Sequence, residues 1–302
     1  MMPELELITA MITPFKKEDA YAIDYDATAR LIKHLVDNST DTILIAGTSG
    51  ESPTLSHEEE IELLQFTRKT LNELGTDTKI MFGAGSNNTF TAAKMAKLAQ
   101  ENGADSILSV CPYYNRPSQA GMIEHFSKVA EACSLPIVLY NVPSRTNVSI
   151  NTESIMTLVN KYENIVGIKE ASTNFDQLTE IRTKLSSKEF KIYSGDDSLT
   201  LPMLSIGANG VISVASHLVG NELREMMDSF AKLELEQAQK LHSRLFSLFM
   251  ALFTEPNPTC IKEAMGIIGI SSNTLRLPLV NLSSEKRDEL KKILDSYSLV
   301  KL

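Results

Sequence analysis

Short apolar runs recur along the first two-thirds of the chain, at 5–12, 42–46, 79–83, 105–110, 136–141, 165–170, 190–194 and 209–214. They are rich in Ile, Val and Leu, and most are apolar throughout rather than alternating with polar residues. A strand solvated on one face alternates; a parallel strand covered on both faces reads as a continuous run. The pattern therefore predicts eight buried parallel strands.

Between the runs the spacing changes to that of amphipathic helices. Leu31 and Leu35, and Ile32 and Val36, form i,i+4 pairs, and Ile61, Leu64, Leu71 and Leu74 form a stripe. Ala92, Ala96 and Ala99 make a small-residue face. Ile155, Leu158, Val159 and Tyr162, then Phe175, Leu178, Ile181 and Leu185, continue the series. Ser56-His57-Glu58-Glu59 has the form of a capping box, which assigns that acidic run to a helix start. Eight strand-then-helix units match a closed α/β barrel, a (β/α)8 TIM barrel, better than an open doubly wound sheet. Gly83-Ala84-Gly85 follows a strand, but Asn88 stands where a dinucleotide turn needs its third glycine. From about 218 the strands stop. Helical spacing continues through Leu223, Met226, Met227 and Phe230 and through Leu241 to Leu252, then near 259–268 and 284–298. The expected organisation is a catalytic barrel over 1–220 with a C-terminal three-helix appendage over 221–302.

The 302 residues are 43% hydrophobic and 22% charged, which fits a globular protein rather than a disordered one. The net charge of −9 disfavours nucleic acid or an anionic membrane as partner, since both need a basic surface. Cys111, Cys133 and Cys260 are widely spaced and odd in number, so no disulfide framework or CxxC motif can be drawn. The N-terminus does not read as a signal peptide, no apolar run approaches membrane-spanning length, and a reducing cytoplasm is the expected setting. The five histidines lack metal-ligand spacing, so no metal site is expected.

In such a barrel the reactive groups lie at the C-terminal ends of the strands. Lys169, Tyr140, Thr48, Ser49, Gly195 and Ile212 all fall there. A lysine at that position is a candidate Schiff-base nucleophile, if burial makes its amine neutral. Its plain alternative is a solvated lysine or one paired with Glu170. Tyr140 could move protons, with Thr48 ordering its hydroxyl. The turn Gly47-Thr48-Ser49-Gly50 can offer backbone N–H groups to a carboxylate. Arg145, just beyond Tyr140, suits bidentate capture of a second carboxylate, or a surface ion pair. Ser194-Gly195-Asp196-Asp197 contains an acid pair that reads as helix capping rather than catalysis.

At these residues the chain resembles the dihydrodipicolinate synthase (4-hydroxy-tetrahydrodipicolinate synthase) group of the N-acetylneuraminate lyase family. The marks run nearly end to end: Gly47-Thr48-Ser49-Gly50-Glu51-Ser52, Pro112-Tyr113-Tyr114-Asn115-Arg116-Pro117, Tyr140-Asn141-Val142-Pro143-Ser144-Arg145-Thr146, Gly167-Ile168-Lys169-Glu170, Ser194-Gly195-Asp196-Asp197 and Glu255-Pro256-Asn257-Pro258. The resemblance implies a lyase-type condensation without cofactor, in lysine and diaminopimelate biosynthesis. Lys169 would form an imine with pyruvate, whose enamine adds to L-aspartate 4-semialdehyde. It implies a proton relay of Tyr140, Thr48 and Tyr114, the last from a neighbouring subunit, and hence a homodimer or homotetramer. It gives Thr48 and Ser49 the pyruvate carboxylate and Arg145 the semialdehyde carboxylate, with backbone contacts from Gly195 and Ile212. Arg145 stands where the sugar-acid lyases of the family carry a smaller residue. Members inhibited by lysine bind it at a dimer interface. At the corresponding positions here stand Pro53, His57, Asn87 and Tyr113, but Glu60 replaces a histidine and Thr91 a glutamate. That degenerate pocket implies weak or absent feedback. Two rivals remain at this stage: an aldolase of 2-keto-3-deoxy sugar acids, which a substrate panel would separate, and a non-catalytic keto-acid sensor, which would need no nucleophile.

Overall fold

The computed structural model describes residues 5–186 and 188–299. Eight parallel strands close into a barrel in sequence order. They are β1 (Glu6–Ala10), β2 (Thr42–Ile45), β3 (Lys79–Gly83), β4 (Ser106–Val110), β5 (Ile137–Asn141), β6 (Ile165–Glu170), β7 (Lys191–Ser194) and β8 (Gly210–Ser213). β8 pairs with β1 through Ile212 and Ile8, which completes the ring. Each strand lies within its expected run.

The continuous apolar runs have a direct explanation in this closure. Successive side chains of a strand point to opposite faces. Leu44, Met81, Leu108, Val138, Tyr140, Tyr193 and Ile212 pack together inside the barrel. Their neighbours Ile43, Ile45, Ile80, Phe82, Ile107, Leu139, Ile168, Ile192 and Val211 face outward into the helix layer. Both faces are dry, so both must be apolar. Near the N-terminal end of the strands the interior turns polar: Tyr193 Oη donates to Glu6, which also pairs with Lys191 at 3.0 Å.

The helices are α1 (Tyr25–Asp37), α2 (His57–Leu74), α3 (Thr89–Glu101), α4 (Gln119–Ala132), α5 (Pro143–Thr146), α6 (Thr152–Lys161), α7 (Phe175–Lys184), α8 (Thr200–Ser205), α9 (Ser216–Ala231), α10 (Leu235–Ala251), α11 (Thr259–Ile267) and α12 (Ser284–Ser296). Ser56 and Glu59 form the capping box that opens α2: Ser56 Oγ accepts from the Glu59 amide at 3.2 Å, and Glu59 accepts from the Ser56 amide at 2.8 Å. The stripe assigned to α2 differs in detail. Leu63 joins Leu64 and Leu71 in the core, Ile61 is only partly buried, and Leu74 is exposed in the last turn before the Gly75 cap.

α9 begins at Ser216, ahead of the first helical signal at Leu223. Its first turn, Ser216-His217-Leu218-Val219-Gly220, has Leu218 as its one strong helix former and is broken at Val219. Tertiary contacts hold it instead. Asp197 accepts from the Val214 and Ala215 amides at 3.1 and 2.9 Å, and the His217 ring accepts from the Ile12 amide at 3.2 Å. α9 is thus the helix of the eighth unit, and α10, α11 and α12 follow it. No helix among the described residues is long and apolar enough to cross a membrane.

Candidate active site

Lys169, one residue before the end of β6, lies beside Tyr140 on β5, its direct pairing partner. The Lys169 amine lies 4.5 Å from the centre of the Tyr140 ring. Lys169 is 7% exposed and makes no ion pair among the described residues. Its pKa is lowered to about 8, chiefly by burial and in part by the Arg145 charge, against the opposing charges of Asp197 and Asp196. Strand alternation turns Glu170 the other way, where it accepts from Asn141 Nδ2 at 2.8 Å. The alternative of a Lys169–Glu170 pair is therefore excluded by direction.

Tyr140 is buried, and burial raises its pKa; Arg145 and a hydrogen bond with Thr48 pull it back. One phenol, one amine, one hydroxyl and one guanidinium thus act on each other across the ends of β2, β5 and β6. Arg145 lies in the short helix α5, exposed, with no ion pair among the described residues.

Thr48 and Ser49 sit in a tight turn after β2. The amides of Gly50, Glu51 and Ser52 close it on the Gly47 and Thr48 carbonyls at 3.1 to 3.3 Å. The Thr48 and Ser49 amides make none of these closing bonds. Ala46 and Glu51, on either side of the turn, have φ of 51° and 55°. Such left-handed backbone in non-glycine residues costs energy and persists only where surroundings enforce it.

Gly195 packs against β6: its amide donates to the Glu170 carbonyl at 2.7 Å, and an added Cβ would lie 2.7 Å from the Ala171 Cβ. Ile212 faces the barrel interior with Tyr140. The acid pair caps, as its position suggested. Asp196 accepts from the Ser198 amide at 2.8 Å, and Asp197 holds the start of α9 while accepting from Ser213 Oγ at 2.5 Å. Burial pushes the Asp197 carboxyl up to about 6.

Tyr114 is not brought to this site by its own chain. Its side chain is 90% exposed, on a loop where Tyr114 and Arg116 have φ of 71° and 48°. Asn115 Nδ2 ties that loop to the Asn87 carbonyl at 2.8 Å. Around the first turn of α2, Pro53 and His57 are exposed, Asn87 and Thr91 are half-buried and Tyr113 is 39% exposed. Glu60 differs: it is 7% exposed, and burial, reinforced by Glu59, raises its pKa to about 8.

Three residues of the C-terminal segment reach the same turn and were given no role from sequence. Asn257 Nδ2 donates to Ser49 Oγ at 2.9 Å. Lys262 Nζ pairs with Glu51 at 2.5 Å, both groups fully buried. The Arg276 amide donates to the other Glu51 oxygen at 3.0 Å, and its side chain pairs with Glu59 at 2.6 Å. The sequence carries little signal for them: Lys262 stands beside Glu263 like an ordinary helix-surface charge, and only its burial shows that it needs a partner.

A closed parallel barrel with a desolvated lysine at the end of its sixth strand defines the class of lysine-bearing (β/α)8 barrels. Within it, the chain belongs to the dihydrodipicolinate synthetase family, which it matches over residues 4–297. It is similar to the 4-hydroxy-tetrahydrodipicolinate synthase of Listeria monocytogenes, 45% identical over 294 residues, covering 97% of this chain and 98% of the relative. A second relative, 4-hydroxy-tetrahydrodipicolinate synthase 1 of Halalkalibacterium halodurans, is 43% identical over 94% of each chain. The crystal structure of dihydrodipicolinate synthase from Aquifex aeolicus superposes with a TM-score of 0.94 at 41% identity, covering 99% of this chain and 100% of that one. The enzyme from Cyanidioschyzon merolae, solved with lysine bound, gives 0.94 at 40% identity over 98% of each chain.

Proposed function

We propose that this chain is an enzyme condensing pyruvate with L-aspartate 4-semialdehyde through an imine on Lys169. Full-length similarity to the named synthases supports the overall reaction. The single observation that carries the chemistry is the buried Lys169 amine, with its pKa lowered to about 8, against the Tyr140 ring.

In this reading the neutral Lys169 amine attacks the pyruvate carbonyl carbon. The carbinolamine loses water to give the imine, and loss of a methyl proton gives the enamine. The enamine carbon then bonds to the aldehyde carbon of the semialdehyde. Attack by the substrate's own amine releases Lys169 and closes the ring. Tyr140 and Thr48 carry protons to and from the leaving water. Tyr114 of a second copy completes the relay, which calls for a homodimer or homotetramer. Thr48 and Ser49 hold the pyruvate carboxylate, Arg145 the carboxylate of the semialdehyde, and Gly195 and Ile212 line the site through backbone atoms. The lysine amine supplies the electrophilic activation, so the reaction as read needs neither metal nor organic cofactor. Small-molecule substrates, a cytoplasmic setting, and no nucleic acid or membrane partner complete the reading. It divides the chain into a barrel over 1–220 and a helical region over 221–302, a boundary that falls inside α9 (Ser216–Ala231), the helix of the eighth barrel unit. The ends of that division, 1–4 and 300–302, lie outside the described residues.

Borohydride reduction in the presence of pyruvate, followed by peptide mass spectrometry, tests the reading. One reduced pyruvyl group on Lys169 is expected; a folded protein without adduct would overturn it.

Feedback by lysine is proposed to be weak or absent. A carboxyl at Glu60 and the lack of one at Thr91 change the pocket's hydrogen bonding and remove a partner for the lysine ammonium. Strong inhibition of turnover at sub-millimolar lysine would contradict this.

A further inference from the structure

The Glu255-Pro256-Asn257-Pro258 segment lies more than 80 residues beyond Lys169 in sequence, yet it ends against the turn that carries Thr48 and Ser49. Asn257 Nδ2 donates to Ser49 Oγ across 2.9 Å, and both residues are buried. The other end of the amide, Oδ1, is buried and has no hydrogen-bond partner among the described residues. The fold therefore holds this side chain through its donor end alone. The turn itself is clamped from the same direction: Glu51, at its end, takes Lys262 Nζ and the Arg276 amide.

A hydroxyl is one donor and a rotatable acceptor. Once Ser49 Oγ accepts from an amide, its own hydrogen turns away from Asn257 and is left for another acceptor. We propose that Asn257 is a positioning residue that makes the Ser49 hydroxyl a dedicated donor to the carboxylate of the keto-acid substrate. The inference deepens the proposed function and rests on its assignment of Ser49 to that carboxylate. An acidic residue at 257 would reverse the polarity. It would draw the Ser49 hydrogen to itself and set a negative charge beside the substrate's own.

The test compares two ketones of nearly equal size, pyruvate and its neutral amide, pyruvamide. Each is trapped on Lys169 by cyanoborohydride, and the concentration giving half-maximal trapping is read by mass spectrometry. In Asn257→Asp the value for pyruvate is expected to rise about tenfold or more, since a charge-assisted hydrogen bond is replaced by repulsion. The value for pyruvamide should stay within about twofold. Asn257→Ala frees the hydroxyl without adding charge and should raise the pyruvate value about three- to fivefold, again sparing pyruvamide. If Asn257→Asp does not fold, Asn257→Ala decides alone. Equal losses for both ketones, or no loss for either, overturn the proposal and leave Asn257 a packing residue. Absence of any adduct in the unaltered protein is a different result. It removes the Schiff-base reading, and this proposal with it.

Discussion

Imine formation should follow the ionisation of a buried amine, not of an ordinary lysine. Lys169 has its pKa lowered from 10.5 to about 8, chiefly by burial. At pH 7 about a tenth of it is then the free amine, against a few parts in ten thousand for a solvated lysine. The gain in nucleophile is about 300-fold, equivalent to roughly 3 kcal/mol. The sign follows from the charge. The protonated form is the one burial disfavours, so the reactive form accumulates as pH rises through about 8. The assay is the initial rate of cyanoborohydride trapping at sub-saturating pyruvate, from about pH 6 to pH 10.5, with the adduct quantified by mass spectrometry. The rate should climb about tenfold per pH unit at first and level off above 8 to 9. Arg145→Ala supplies an internal check. Removing that guanidinium removes a cause of the lowering and should move the midpoint upward. A rate still rising steeply beyond pH 10 would refute the argument, because the amine would then behave as solvated.

Lys169→Met should abolish the adduct and raise the melting temperature at pH 7 by several degrees. Burying the charge costs stability, a cost fully present below about pH 8 and gone above 10.5, so the gain should vanish in alkaline buffer. No change in melting temperature at either pH would contradict it. Tyr140→Phe keeps the ring beside Lys169 but removes the proton carrier; kcat should fall about 10²- to 10⁴-fold with little change in KM for pyruvate, read by steady-state kinetics. Lys262→Met alone leaves Glu51 buried without its partner and should cost roughly 3–5 kcal/mol in urea unfolding. Lys262→Met with Glu51→Gln should recover much of that loss, and a double variant as unstable as the sum of the singles would show that the two groups do not act as a pair.

Repeats of one local pattern were the most legible part of the molecule. All eight strands lie inside apolar runs visible in the chain, because closure dries both faces and leaves no alternation to read. Lys169, Tyr140 and Thr48 were also visible, since strand ends are where this architecture gathers reactive groups. The start of α9 was not. Its first turn is held by Asp197 and by the His217 contact with Ile12, partners that sequence distance conceals. Nor were the roles of Asn257, Lys262 and Arg276, whose contacts with the Ser49–Glu51 turn span more than 200 residues of chain.

The sequence by itself thus determined the barrel, the lysine and the family, because these rest on local periodicity and short motifs. Only the tertiary structure decided three further matters. It turned Lys169 into a dry interior where its amine is depressed, and Glu170 out of it. It left Tyr114 exposed rather than within its own site. It brought Asn257, Lys262 and Arg276 of the C-terminal segment back to clamp the strain-bearing turn after β2. Each depends on which groups lose water together, and solvation is a property of the packed molecule rather than of any segment of its chain.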